Sequence, residues 1–481
     1  MADLSFFWHD YETFGAHPRR TRPAQFAGVR TDAELNEIDA PVTLYCRPAP
    51  DFLPEPEACL LTGITPQICL ERGLPEYAFA EAIHEQLARG CTVGVGYNSI
   101  RFDDEVTRHL FWRNLIEPYG REWQNECGRW DLLDVARCCH ALRPEGVEWP
   151  KREDGHPSFK LEHLSAANGL VHTAAHDALS DVRATIALAR RIRQAQPRLW
   201  DFCLRLRSKH EVAAEFAAAE RAATPLLHVS GMYGAERGAL ALVWPLAPHP
   251  TNKNEVIVWD CAQDPELLWS LSAEAIRERL FTRAEDRPEG VERLPIKTVH
   301  LNKSPVVIAN LRVLSAERAA HWGIDVETSL RHARAAGERA GTLAGLWPEV
   351  MRRPPAATPP DVDEDLYGGF VGDADRRVLQ RLLALPGAER AASLANRAPL
   401  FNDERLDELL FRWRARNFPT TLDAAERARW LAHCHRRLHG GEAGWPTVEQ
   451  LLERIDGLVE GADERGHAIL GDLVDYITEI G

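Results

Sequence analysis

The chain contains no apolar run approaching the roughly 20 residues that span a membrane. Its first residues, MADLSFFWHD, place no basic segment ahead of a hydrophobic one, so no export signal is expected and the cytoplasm is the expected location. A C-x-x-C pair is also missing. The ten cysteines are scattered over 481 residues, which argues against a thiol redox motif or a zinc ribbon and leaves no need for a disulfide. Adjacent Cys138 and Cys139 fall in an apolar helical stretch and read as core. No repeat of about 20–50 residues is apparent, so a solenoid is not expected. The glycine-rich GVGYNS at 94–99 lacks the third glycine of a dinucleotide loop, Ser99 standing in its place, so cofactor binding there is rejected. A basic excess is absent as well: 57 Lys and Arg face 72 Asp and Glu, for a net charge of −15. That lacks the usual footprint of a nucleic-acid binder, yet a local basic track beside an acidic centre would serve.

What is present is an ordinary globular composition, 45% hydrophobic and 27% charged, at a length that calls for two or three cores. Residues 1–195 alternate strand-like segments (LSFFWHDYET, AQFAGVRTD, APVTLYCRPA, CTVGVGYN) with helical ones, including a helix from near Asp103 and a long amphipathic run from Ala178 that Pro197 stops. This is an α/β domain. Residues 196–352 open with an alanine-rich helical connector and continue as short strands broken by turns, which predicts a small barrel or sandwich. After the proline-rich MRRPPAATPPDVDED, residues 353–481 show helical periodicity and form an all-helical domain.

Acidic residues carry the chemistry. Asp10 and Glu12 form a D-x-E pair inside an aromatic-rich strand, where a spacing of two puts both carboxylates on one face. Buried acids repel unless a cation sits between them, and oxygen-only ligands suit Mg²⁺ or Mn²⁺; two such ions about 3.5–4 Å apart suit in-line phosphodiester hydrolysis. RFDDE supplies Asp103 and Asp104, which face about 100° apart on a helix, so only one reaches the cluster comfortably and spacing alone does not choose. His176 and Asp181 follow in HDALSD. A histidine near its ordinary pKa of about 6.5 is suited to general-base work at neutral pH.

The order D-x-E, Asp, H-x4-D resembles the His subtype of the DEDD 3′→5′ exonucleases. The words HDYETFG, RPAQFAGVRTD, LLTGITPQ, GYNSIRFDDEVTRHLFWRN, RWDLLDVARCCHALRPEG and FKLEHLSAANG are similar to bacterial exodeoxyribonuclease I, as are HVSGMYG, VHLNKSP and LLFRWRARNFP further on. The resemblance spans nearly the whole chain. It implies a ribonuclease H-like first domain and an SH3-like second, and it selects Asp103, leaving Asp104 as a first-turn acid favoured by the helix dipole. It implies two Mg²⁺ ions, with Mn²⁺ as a substitute, held by Asp10, Glu12, Asp103 and Asp181, with His176 as general base and Glu12 also touching the terminal ribose. Asp177 matches no metal-binding spacing of the family and is assigned to capping the helix. The activity implied is processive 3′→5′ degradation of single-stranded DNA to 5′-mononucleotides in repair and recombination, by a monomer.

For the strand, aromatic and basic residues are interleaved after Asp103, as ring stacking and phosphate pairing require. Phe111 and Trp112 follow an apolar helix face and read as core. Arg108, Tyr119, Trp123 and Arg137 match the family's strand contacts. Lys160 stands where the family usually has arginine, keeping the charge without the planar fork. Asn254, His300, Asn302 and Lys303 correspond to residues that help enclose the strand, though turn chemistry accounts for them too. Arg412 and Arg416 share a helix face, which fits either a phosphate track or a solvated face paired with Asp407 and Glu408. The resemblance also implies docking of the acidic C-terminal tail of single-stranded DNA-binding protein, for which Arg143, Arg312 and Phe202 are the candidates. An RNA-trimming enzyme with the same chemistry and a catalytically silent DNA-binding scaffold are the competing readings.

Overall fold

The computed structural model describes residues 4–171, 177–353, 360–393, 400–441 and 444–480. Two compact units emerge: Met1–Gly128 with His172–Arg183 and Ala356–Gly481, and Arg129–Val171 with Ala184–Pro355.

In the first unit, strands β1 (Ser5–Thr13), β2 (Pro23–Thr31), β3 (Val42–Tyr45) and β4 (Thr92–Gly96) build a mixed sheet. β1 is central, antiparallel to β2 and parallel to β4, while β3 lies outside β2. Every residue of β2 and β4 is buried, as expected for strands covered on both faces. Gly28 on β2 is required by a close approach, since a Cβ there would stand 2.2 Å from the Phe7 ring. The helices Glu76–Leu87 and Asp103–Arg113 bring Phe79, Ile83, Val106, Leu110 and Phe111 onto Phe7, Tyr11 and Phe26. Phe111 and Trp112 are buried core residues, as their helix face predicts.

The C-terminal helices belong to the same unit. Leu438, Trp445, Leu451, Leu470, Leu473 and Tyr476 share a core with Phe14, Ala24 and Phe52 from the N-terminal strands and loops. Beside it lies a buried ionic knot. The Asp363 carboxylate meets Arg22 at 2.9 Å, Arg416 at 2.5 Å, Arg437 at 3.5 Å and Arg412 at 3.6 Å, and Asp51 meets Arg416 at 2.6 Å and His433 at 3.3 Å. Burial alone would raise the Asp363 carboxyl, but Arg416, Arg412, Arg22 and Arg437 hold it well below the usual carboxylate range. Arg412 does pair with Glu408, yet Arg412 is buried and the Arg416 side chain is only 2% exposed, so they form neither a phosphate track nor a solvated face.

The second unit holds β5 (Gly128–Asp131) from its second residue onward, the helix Leu132–Leu142, and an antiparallel sheet of β6 (Leu226–Val229), β7 (Leu240–Pro248), β8 (Glu255–Asp260), β9 (Ile296–His300) and β10 (Val306–Ile308). The order in that sheet is β10-β6-β7-β8-β9. Helices Pro197–Arg205 and Lys209–Ala222 form the expected alanine-rich connector, and Val212 and Phe216 pack with Leu226, Val243, Val258, Val299 and Val307. Cys138 and Cys139 are buried. No described helix is long and apolar enough to cross a membrane.

Candidate active site

β1 delivers two of the acids. Asp10 and Glu12 are two residues apart on β1, opposite Ala27 and Gln25 of β2. Asp181, in the first turn of the helix Ala178–Ala195, completes a group whose ligand oxygens all lie within 4.8 Å of one another. Asp103 opens its own helix and is joined to the same strand, because the Tyr11 backbone N–H donates to Asp103 Oδ1 at 3.2 Å. Thr107 Oγ1 bonds both the Asp103 carbonyl, at 2.8 Å, and the Tyr11 hydroxyl, at 3.0 Å, so the first turn is tied to β1 at two heights. His176 lies outside the described residues.

Two neighbours fix the start of the Asp181 helix. Asp177 accepts from the Ser180 N–H at 3.1 Å, the capping geometry expected of it, and Gln25 Oε1 accepts from the Ala178 N–H at 3.2 Å. Gln25 was missed by the sequence reading. Its signal is a lone amide in the otherwise apolar run AQFAGV, where a buried polar group needs a partner. Asp104 is a first-turn acid, but it is not solvated: it is buried against Arg121 at 2.6 Å.

The electrostatics are those of crowded negative charge. Burial, followed by the charges of Asp103, Glu12 and Asp181, raises the Asp10 carboxyl well above its usual range. Burial and the charges of Asp181 and Asp177 push Glu12 from 4.5 up to about 8. The carboxylates of Asp10, Glu12 and Asp181, with the charge of Asp103 acting on Asp10, offer oxygen donors only and fit a hard divalent cation better than any neutral ligand. A carboxyl raised on folding leaves the fold most stable where it is protonated in both states, and its contribution is lost as pH rises from 4.5 toward 8. The metal-free protein is therefore expected to melt at a lower temperature at pH 8 than at pH 6. Glu12→Gln should raise the pH 8 midpoint without raising it below pH 4.5, as scanning calorimetry in a chelator would read; a Glu12→Gln midpoint no higher than wild type at pH 8 refutes the charge crowding.

The proposed strand contacts divide between the units. In the first, Arg108 is buried and its guanidinium is taken by Glu122 (2.7 and 2.8 Å) and Glu105 (2.8 Å), with the Tyr119 ring 5.2 Å away. Trp123 is 67% exposed, the posture of a stacking platform rather than of core. In the second unit Arg137 pairs with Asp134 at 2.6 Å and lies over the Phe159 ring, and Lys160 is exposed beside Glu162. Asn254, His300, Asn302 and Lys303 gather around one sheet edge: the Asn254 carbonyl accepts from the Leu301 N–H, the His300 carbonyl from the Lys303 N–H, and the Asn302 carbonyl from Arg129. His300 Nδ1 stands 3.3 Å from Glu255.

Of the tail-docking candidates, Arg143 donates through Nη1 to the carbonyls of Leu142 and Val313, which brings it to the segment that carries Arg312. Arg312 is exposed, and Phe202 is half-buried with Arg205 over its ring.

Family models match the chain in three parts: Exonuclease over residues 7–189, Exonuclease I SH3-like domain over 207–352, and Exonuclease I C-terminal domain over 360–480. Exodeoxyribonuclease I of Escherichia coli is 46% identical over 476 residues, covering 99% of this chain and 98% of the relative. Among solved structures, exonuclease I from Methylocaldum szegediense is similar at 50% identity and TM-score 0.92, covering 99% of each chain. E. coli exonuclease I in complex with a dA16 oligonucleotide is similar at 43% identity and TM-score 0.92, covering both chains fully. Over the same full coverage, a zinc-bound E. coli complex with single-stranded DNA reaches 42% and 0.91, and an SSB/exonuclease I structure with an inhibitor reaches 41% and 0.89.

Proposed function

The chain belongs to the exodeoxyribonuclease I family, and on that premise we propose that it is a Mg²⁺-dependent, processive 3′→5′ exonuclease that degrades single-stranded DNA to 5′-mononucleotides. The observation that carries this is the carboxylate group on β1 and the Asp181 helix, with Asp103 tied to the same strand. Asp10, Glu12, Asp103 and Asp181 would hold the metal, which when bound supplies Lewis-acid polarisation of the phosphate and neutralises its charge. Tyr11 orients Asp103 through its N–H, and Gln25 with Asp177 fixes the helix start from which Asp181 projects. His176 takes the proton of the attacking water on a ring nitrogen. The catalytic domain is residues 1–195, the SH3-like domain 196–352 and the helical domain 353–481, and the latter two are assigned to processivity, so that many nucleotides leave per encounter.

The protein acts as a cytoplasmic monomer in repair and recombination, where strands are coated with single-stranded DNA-binding protein. A relative is known in a structure with that protein. We assign its acidic tail to Arg143, Arg312 and Phe202, where a carboxylate would meet a guanidinium beside an apolar wall.

End-labelled single- and double-stranded DNA and RNA, each with Mg²⁺ and with chelator, test the reading. Mononucleotides released from the 3′ end of single-stranded DNA only with Mg²⁺ are expected. Equal hydrolysis of RNA would favour the trimming enzyme, and no metal-dependent release would leave only a binding scaffold. For the strand path, Trp123→Ala is expected to cost about 1–3 kcal/mol of affinity for an oligonucleotide, read by fluorescence anisotropy at fixed salt with the catalytic metal withheld. An unchanged affinity would remove Trp123 from the path.

A further inference from the structure

Asp103 and Asp104 are neighbours at the start of one helix, yet the structure gives them opposite surroundings. Asp103 turns to β1 and the carboxylate cluster, whereas Asp104 turns inward, its side chain 2% exposed, to Arg121, whose side chain is 1% exposed, at 2.6 Å. Asp104 is thus a further buried negative charge one residue from a group of acids that already repel each other, and Arg121 neutralises it. The guanidinium is fitted to this place. Its Nη1 lies where a Cβ on Gly94 would stand only 3.2 Å away, so that glycine, in the motif rejected as a cofactor loop, leaves room for it. Its Nε and Nη1 find no hydrogen-bond acceptor among the described residues, so the Asp104 carboxylate is what fixes it.

Arg121 comes from the one-turn segment Gly120–Glu122, and the next residue in that segment makes a second tie to the same helix, Glu122 gripping Arg108 through two bonds of 2.7 and 2.8 Å. The residue after that is the exposed Trp123. We propose that Arg121 is a positioning residue for Asp103: by holding Asp104 it sets the first turn of the helix at the height where Asp103 joins Asp10, Glu12 and Asp181, and it locks that turn to the segment carrying Trp123. Removal of Arg121 takes the buried guanidinium away from the Asp104 carboxylate and unties the first turn from the Gly120–Glu122 segment, so that the turn shifts. The inference rests on the reading of Asp103 as a metal ligand.

The test is a set of full-length variants, Arg121→Met, Asp104→Asn, the double variant and Asp103→Asn, each read for kcat and KM on a single-stranded oligomer and for calorimetric binding of Mn²⁺ alone. Arg121→Met is expected to lower kcat about 10²-fold and Mn²⁺ affinity about tenfold, with KM changed less than kcat. The double variant should recover most of both losses, because the disruptive charge is gone. Both readouts are taken well below the unfolding midpoint of each variant, where a loss that is merely of fold stability moves neither kcat nor Mn²⁺ affinity. Should Arg121→Met not fold, Arg121→Lys takes its place with the same expected order, since it keeps the charge and loses the planar fork. Wild-type kcat and Mn²⁺ binding in Arg121→Met, or a double variant as impaired as the single, overturns the proposal. Asp103→Asn separates the two levels: if it is inactive while Arg121→Met is normal, only the positioning role fails, and if it keeps full activity and metal binding, the ligand reading itself fails.

Discussion

Asp10→Ala is expected to remove measurable hydrolysis of single-stranded DNA in Mg²⁺ while leaving the strand bound. Asp10 is the acid that feels all the others, since burial and then Asp103, Glu12 and Asp181 are what raise its carboxyl. Its position is set by β2, opposite Ala27 in register, two residues beyond the last β1 residue paired with β4. A bound divalent ion contributes several kcal/mol of transition-state charge stabilisation, and each 1.36 kcal/mol is about tenfold in rate, so losing this ligand should cost roughly 10³-fold or more. Strand affinity without metal should stay within about twofold of wild type, because stacking and phosphate contacts are made by other residues. The same substitution removes a repelled carboxylate, so the metal-free variant should melt no lower than wild type at pH 8. Retained turnover in Mg²⁺ above a small percentage would sink the assignment of the cluster; lost strand affinity would mean that Asp10 supports the strand rather than the chemistry.

The elements that carry this chemistry were legible because their signals are local. β1 follows from the aromatic-rich apolar run SFFWHDYET, the Asp181 helix from an amphipathic run closed by Pro197, and the D-x-E pair from strand periodicity. Where the sequence offered two adjacent acids, the residues alone did not choose; the structure separates them by partner, Tyr11 for Asp103 and Arg121 for Asp104. Arg121 lies 17 residues from Asp104, across a turn with no periodic pattern, so nothing near it in the chain announces a buried pair.

The same reason explains the C-terminal arginines. Helical spacing shows that Arg412 and Arg416 share a face, but it does not show what that face meets, and charged faces are usually solvated. Their partners Asp51, Asp361 and Asp363 sit up to 365 residues away in the chain, and Asp51 and Asp363 are wholly buried. A buried guanidinium is tolerable only with such partners, which a linear reading has no means of pairing. Arg108 makes the point within the site region: the family resemblance marks it as a strand contact, and its pairing with Glu105 and Glu122 is seen only in the folded chain. Charge type was readable, whereas charge pairing depends on the fold.

His176→Ala separates proton transfer from metal holding. The residue precedes Asp177, whose carboxylate caps the Asp181 helix, and its substitution leaves every carboxylate of the group Asp10, Glu12 and Asp181 in the chain. Turnover is expected to fall roughly 10²–10⁴-fold, the usual span for a missing general base, while calorimetric binding of Mn²⁺ and the metal-free affinity for an oligonucleotide remain near wild type. The pH profile supplies the sharper criterion. In the wild type kcat should rise with pH to a plateau as the imidazole loses its proton and becomes a base, and in His176→Ala that plateau should be lost, leaving a rate that keeps increasing with hydroxide concentration. Partial rescue by free imidazole, saturating with a dependence on its unprotonated fraction, would fit a base supplied from solution. If instead saturating Mn²⁺ restores full turnover to the variant, the histidine is a metal ligand and the base lies elsewhere in the site.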